Sequence, residues 1–320
     1  MKSIVTAFAL AGLFVSTAQA QTYPTKPVTM VVPFAAGGPT DIIARIVGEH
    51  MSKTLGQQIV VENIAGAGGT TGILRASQAT PDGYTIMMGH MGTHGAAPAL
   101  YPGLKYDPAK DFEPVGLAAS TPILIVAKKT IPATNLKEFN GWLKANESKV
   151  NQAHAGVGAV SHMTGILFNA QVGIKPAAVP YTGTGPALND LISGQIDYMT
   201  DQIVNVVEQI KGGSIRAYAI ATPERSPALP DVPTTVEQGM PEFQVIAWNA
   251  VFAPLNTPKD IVAKLNAALV KALDDEATRK RLLDLGAVIP DQAGRTPEAL
   301  QKLVVSELAR WTPVLKNAPK

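Results

Sequence analysis

Short apolar runs alternate along this chain with stretches in which apolar residues return every three or four positions, the patterns of buried strands and amphipathic helices. Val28–Val32, Ile59–Glu62 and Tyr84–Met88 read as strands, the last preceded by the turn pair Asp82-Gly83. Between the first two, Ile42, Ile43, Ile46, Val47, Met51 and Leu55 mark one face of a helix that Pro39 starts and Gly56 stops. A second helix carries Ile73, Leu74 and Ala76. Tyr101–Pro114 is polar and proline-marked and reads as a surface excursion. Ile123–Ala127 is a further strand, and a second series follows it. There Asn135 and Glu138 form a capping-box pattern for a helix with Leu136, Phe139 and Leu143. Strands at Gln152–Ala155, Ala177–Val179, Ile196–Met199 and Ile215–Ala221 then alternate with helices near 162–171, 186–193 and 203–211. A long strand, Gln244–Ala253, leads to two helices that start at Thr257-Pro258 and Thr296-Pro297.

Strands alternating with helices predict an α/β fold whose sheets are mostly parallel and flanked by helices. Two such series joined by long strands predict two lobes connected by a double crossover, with the carboxyl-terminal helices packed back on the first lobe. The expected division is residues 21–124 with 251–320 in lobe 1 and residues 125–250 in lobe 2.

Four times a strand runs into glycines and hydroxyls that open a helix: Gly37-Gly38-Pro39-Thr40, Gly66-Ala67-Gly68-Gly69-Thr70, Gly156-Val157-Gly158-Ala159-Val160-Ser161, and Thr182-Gly183-Thr184-Gly185. Such a turn aims free backbone N–H groups and the positive dipole end of the helix at one spot, which favours an anion. Small residues are what any strand-to-helix turn needs, so one loop alone carries no function. The recurrence, twice in each half and with hydroxyls that turn chemistry does not demand, points to anion coordination. Gly89-His90-Met91-Gly92-Thr93-His94 also follows a strand's carboxyl end, where open α/β sheets place ligands. Asp201 lies at such an end too, and Phe34, Met91, Tyr181 and Trp248 are candidate apolar walls.

Other chemistries fit less well. No G-x-x-x-x-G-K-[ST] is present, and Gly66-x-Gly68-x-x reaches Thr71 instead of glycine, so the nucleotide fingerprints are incomplete and no cofactor is expected. Ser161 beside His162 leaves a secreted hydrolase as the alternative, though neighbours in sequence do not readily form a nucleophile–base pair and no G-x-S-x-G elbow exists. His90 and His94 have the spacing of two ligands on one helix face, but Gly92 and Gly95 argue against a helix there, so no metal site is expected. Histidines in these loops are better read as hydrogen-bonding the loop backbone.

Lys2, the apolar stretch Ile4–Val15 and Ala18-Gln19-Ala20 form the pattern of an export signal over residues 1–20, cleaved after Ala20. That stretch is shorter than the ~20 residues a membrane span needs. The chain has no cysteine, hence no disulfide, no thiol nucleophile and no lipid-accepting thiol after the signal. With 27 basic and 25 acidic side chains among 320 residues, nothing points to nucleic acid.

Several stretches together carry a resemblance. They are Pro33-Phe34-Ala35-Ala36-Gly37-Gly38-x-Thr40-Asp41, Asn63-x-x-Gly66-Ala67-Gly68-Gly69, Asp82-Gly83-Tyr84-Thr85, Tyr106-Asp107-Pro108-x-x-Asp111-Phe112, Tyr181-x-Gly183-x-x-Pro186-Ala187 and Pro230-Asp231-Val232-Pro233-Thr234. In these the chain resembles the Bug family, periplasmic solute receptors of tripartite tricarboxylate transporters. The resemblance implies a two-lobed Venus flytrap of the periplasmic binding protein type II kind, and a monomeric receptor, not an enzyme. It implies as partners a small carboxylate ligand and a large and a small integral membrane subunit. It places Phe34, Ala36, Gly37, Gly38, Thr40, Gly68, Gly69 and Thr70 in the carboxylate-binding loops of the first lobe. It places Ser161, Thr182, Thr184 and Asp201 in the second-lobe loops, and Met91 and Thr93 are ligand candidates by the position of their loop at the carboxyl end of the third strand. Pro39 stands where the family pattern has a serine, and Gly158-Ala159 where it has Gly-Gly or Gly-Ser. Relatives take citrate-like, amino or aromatic acids. Phe34, Met91 and Trp248 favour an aromatic diacid such as terephthalate, or a four- to six-carbon diacid.

Overall fold

The computed structural model describes residues 23–316, so the export signal expected over residues 1–20 lies outside the described residues. The first series is β1 (Val28–Val32), α1 (Pro39–Leu55), β2 (Ile59–Asn63), α2 (Thr70–Ser77), β3 (Thr85–His90) and the short α3 (Ala97–Leu100). β4 (Phe112–Lys128) leads into α4 (Leu136–Ala145), β5 (Asn151–His154), α5 (Val160–Val172), β6 (Ala177–Pro180), α6 (Thr184–Ser193), β7 (Tyr198–Gln202), α7 (Ile203–Lys211) and β8 (Ile215–Ile220). The chain returns along β9 (Ile246–Pro254) and ends in α8 (Lys259–Asp274), α9 (Glu276–Asp284) and α10 (Pro297–Lys316).

Strand order is β2-β1-β3-β9-β4-β7-β5-β6, with β8 also on β4. Within each series the neighbours run parallel, as helical crossovers require: β1 with β2 and β3, β5 with β6 and β7. The long strands are antiparallel to everything they touch. β9 pairs with β3 and with β4 from Phe112 to Pro122, and the rest of β4 pairs with β7 and β8. A single strand therefore belongs to both lobes, and β9 crosses back beside it. This is the double crossover.

The helices cover the sheets through the faces their periodicity marks. α1 buries Ile43, Ile46, Val47 and Met51, and Gly56 ends it in the left-handed region at φ 69°. α8 packs on α1 and β4, and α10 packs on β4 and the loop after β3 through Leu300, Val304 and Trp311. The carboxyl-terminal helices thus return to the first lobe.

Several expectations change. β4 begins at Phe112, so the tail of the supposed surface excursion is strand, and Tyr106 within it is buried with its hydroxyl donating to the Thr93 carbonyl (2.9 Å). Pro114 and Gly116 interrupt the alternation there, and the register shifts between them. The capping box on α4 is half formed. Asn135 Oδ1 accepts from Glu138 N (2.9 Å), but the Glu138 carboxylate accepts from Thr134 N and Oγ1 instead of reaching back to Asn135. Met91–Ala96, read as non-helical because of its glycines, is a π-helical turn. His90 caps it: Nδ1 accepts from Thr93 N (3.1 Å) while Thr93 Oγ1 accepts from His90 N (3.1 Å).

Candidate functional site

The start of α1 is held open by one carboxylate. Asp41 accepts from Gly37 N (3.0 Å), from Arg45 Nε (3.0 Å) and from Asn63 Nδ2 (2.9 Å), and Asn63 donates also to the Phe34 carbonyl (3.0 Å). Burial pushes the Asp41 carboxyl up, but Arg45, the Gly37 amide and Asn63 together outweigh it and hold it below the usual carboxylate range. Asp41 thus shapes the loop and keeps its own charge occupied. Replacing it with alanine leaves the Gly37 amide and Asn63 without their acceptor and should cost about 1–3 kcal/mol of stability. Because its folded pKa is depressed, its contribution is present above the ordinary carboxylate pKa and lost as pH falls through the folded value. Denaturant unfolding at pH 7 and pH 3 checks both: the wild type should lose stability on acidification, and Asp41→Ala should lose less.

On the facing lobe, Ser161 Oγ accepts from Ala155 N (2.9 Å), tying the start of α5 to the end of β5. Thr184 opens α6, and its Oγ1 and carbonyl both accept from Asn205 Nδ2 (3.3 Å each). Asn205 donates in addition to the Asp201 carboxylate, whose other oxygen accepts from Gln202 N (2.8 Å). Asp201 is fully buried with neutral donors only, and burial pushes its pKa up to about 7 despite Asn205, Gln202 and Thr184.

Between the lobes lies a narrow, half-open cleft lined by Phe34, Gly38, Pro39, Thr40, His90, Ala155, Ala159, Val160, Ser161, Thr184, Asp201 and Gln202. His90 ends β3, and the others belong to the loops that start α1, α5 and α6 and to the turn into α7. First-turn N–H groups have no acceptor inside their own helix, so four positive helix ends meet at one space. No lysine or arginine lines it. His90 stacks on Phe34 (ring centroids 4.9 Å apart) and is kept neutral, its pKa pushed down to about 4 by burial. With Nδ1 accepting from Thr93, its proton sits on Nε2. A polar chain joins the lobes behind the cleft: Thr40 Oγ1 donates to Asn249 Oδ1 (3.1 Å), and Asn249 Nδ2 (2.9 Å) and Thr121 Oγ1 (2.6 Å) donate to Gln202 Oε1.

The loops also touch one another across the cleft. Ala35 N donates to the Thr182 carbonyl (3.0 Å), and Tyr101 Oη donates to the Val157 carbonyl (2.6 Å). A Cβ on Gly68 would lie 1.7 Å from Val157 O, and one on Gly185 would lie 2.8 Å from Ala36 O. The lobes meet backbone to backbone, which only glycine permits.

Of the residues singled out from the sequence, Phe34, Gly38, Thr40, Ser161, Thr184 and Asp201 line the cleft. Ala36, Gly37 and Thr182 stand in the interlobe contact instead, and Gly68 packs on Val157. Gly69 sits against Phe34 and Thr93, and Thr70 Oγ1 donates to Ala67 O (2.9 Å) within its own loop. Met91 and Trp248 are core residues, the latter donating to Glu307 Oε2 (3.1 Å). Thr93 is spent on His90 and His94. Gln202, which with Asp201 follows a strand's carboxyl end, lines the cleft as that position implies. The lining residue His90 and Asn249 behind it carry no such signal: His90 reads as a backbone-bonding loop histidine, and Asn249 lies within a strand.

The hydrolase alternative finds no support. The Ser161 hydroxyl bonds no histidine among the described residues: its Oγ accepts from Ala155 N, while His162 Nδ1 accepts from Gly158 N (3.3 Å) with its pKa pushed down to about 4 by burial. No cluster of three metal-ligating side chains exists among the described residues. No helix among them is long and apolar enough to cross a membrane.

The sequence model of the tripartite tricarboxylate transporter family receptor matches residues 43–319. Among solved structures, MatC from Rhodopseudomonas palustris with bound malate is 50% identical, with a TM-score of 0.89 over 92% of this chain and 100% of that one. The periplasmic binding protein BugD is 43% identical, with a TM-score of 0.89 over 92% and 98% of the two chains. An R. palustris protein solved with adipate is 33% identical, with a TM-score of 0.87 over 92% and 97%.

Proposed function

This chain belongs to the tripartite tricarboxylate transporter receptor family, and from that premise we propose that it is a periplasmic receptor for an aliphatic dicarboxylate. It is exported with cleavage after Ala20, binds as a monomer, and hands its ligand unchanged to a large and a small integral membrane subunit. The observation that carries the reading is the cleft itself: helix starts from both lobes converge on a space with no cation, which suits an anion coordinated by N–H groups and hydroxyls. Of the three apolar walls that favoured an aromatic acid, only Phe34 reaches the cleft, so a flexible diacid of the malate or adipate kind fits the lining better.

One carboxylate lies at the start of α1 beside Gly38 and Thr40, and the other meets Ser161 and Thr184 across the cleft. Thr184→Val keeps the shape and removes a hydroxyl. It should weaken malate about tenfold, in line with a hydrogen bond to a charged group worth roughly 1.5–3 kcal/mol. Butyrate, which lacks the far carboxylate, should lose much less. Calorimetric titration of both acids on both proteins makes the comparison. Equal losses would mean that the second lobe covers the ligand without reading it.

A further inference from the structure

Resting on that reading, we propose that the cleft takes up a proton on the Asp201 carboxylate when a dicarboxylate dianion binds, so that affinity falls as the solution becomes more alkaline. Asp201 is in the wall of the cleft and fully buried, beside Ser161 and Thr184, where the far ligand carboxylate is placed. Its partners are the Gln202 amide, Asn205 and Thr184, all neutral. A second carboxylate arriving in this space meets a like charge in low dielectric, and two such groups without a cation share a proton.

The surroundings offer no other remedy. Across β4, Lys128 is paired with Asp197 at the opposite end of β7 (2.6 Å). On α7, Lys211 faces Glu208 (3.4 Å), and on α6 the Asp190 carboxylate accepts from the Tyr181 hydroxyl (2.6 Å). Arg45 of α1 is committed to Asp41 (2.9 Å). The histidines near the cleft, His90, His154 and His162, are all pushed toward the neutral form by burial. Asp201 already holds its proton more tightly than an ordinary carboxylic acid, and the ligand's carboxyls are ordinary. The proton therefore comes from solvent onto an Asp201 oxygen, and the new O–H donates to the ligand carboxylate.

The test is calorimetry of L-malate on the intact mature protein between pH 6.5 and 8.5, where malate stays a dianion, in buffers of low and high ionisation enthalpy. The wild type should lose affinity about tenfold between pH 7.5 and 8.5, and above pH 8 its apparent enthalpy should shift with the buffer by close to one proton per ligand. Asp201→Asn should abolish both the buffer dependence and the slope. A wild-type affinity that is flat with pH and a buffer-independent enthalpy would overturn the proposal, whatever the variant does. A slope that persists in Asp201→Asn would assign the proton to another group and overturn it equally. Absence of malate binding at every pH would instead remove the receptor reading beneath it.

Discussion

Alanine at Gly68 should lower affinity for a dicarboxylate at least a hundredfold while the protein still folds. Gly68 sits at φ +60°, where a side chain costs roughly 1–2 kcal/mol. That local cost appears as a drop of a few degrees in melting temperature. The larger effect is between lobes. The added Cβ would lie 1.7 Å from the Val157 carbonyl oxygen, a main-chain atom of the facing loop that no rotamer change can move. The clash is relieved only when the lobes part. Parting them also loosens the bond from Ala35 N to Thr182 O and opens the cleft to water. Gly213→Ala is the control, because Gly213 has a comparable φ of +66° with nothing near its Cβ. It should share the small stability loss and keep wild-type affinity. A Gly68→Ala protein that binds within a few-fold of wild type would show that the lobes do not close through this contact.

Acid should destabilise the fold well above the range in which carboxylates titrate. His90 and His94 are buried and neutral, with pKa values pushed by burial from 6.5 down to about 4 and about 3. His94 stacks on Phe252 at 4.0 Å and against Phe112, and its Nε2 has no partner among the described residues. These are bases with folded pKa values below the unfolded one, so their stability is complete above pH 6.5 and lost as pH falls below it, when the unfolded chain binds protons that the folded one refuses. Each ring contributes about 1.36 kcal/mol per pH unit in that window, on the order of 5 kcal/mol for the pair between pH 6.5 and 4.5. This is a large share of the ~5–15 kcal/mol that a typical domain has. Urea unfolding across the window measures it, and His94→Phe, which keeps the aromatic stack, should lower the slope by one ring's share, about 1.36 kcal/mol per pH unit. An unchanged slope in that variant would show that His94 already titrates near its ordinary pKa. The window lies below the one in which malate affinity should change, so the two effects separate.

Most of the architecture was legible because the chain punctuates its elements strongly. Gly56, Gly173 and Gly194 end helices α1, α5 and α6 in the left-handed region, and Pro39 and Pro297 start theirs. The misses have local causes. β4 carries Pro114 and Gly116 near its start, and strand periodicity vanishes where the register shifts. The helix α9 buries only Thr278 and Leu282, too narrow a stripe to register as a period. The π-helical turn after β3 depends on His90 and Thr93 capping each other, a tertiary arrangement that spacing alone does not reveal.

The site was legible to the same degree. Glycine-hydroxyl turns located the starts of α1, α5 and α6, all of which line the cleft. The turn at Gly66–Gly69 has the same signature yet serves the interlobe contact, because Val157 O fills the space in front of it. Its place in the cleft is taken by the turn into α7 at Asp201-Gln202, which has no glycine. The pairing of buried polar side chains such as Asn249 and Gln202 is invisible in sequence. Their role is to satisfy one another across two lobes, and no local pattern encodes that.

A crystal structure of the protein grown with malate should show one malate in the interlobe cleft, one carboxylate on the amides at the start of α1 and the other against Ser161 and Thr184, with the molecule chemically unchanged. Malate bound outside the cleft, or anchored there by a lysine or arginine side chain, would contradict that expectation.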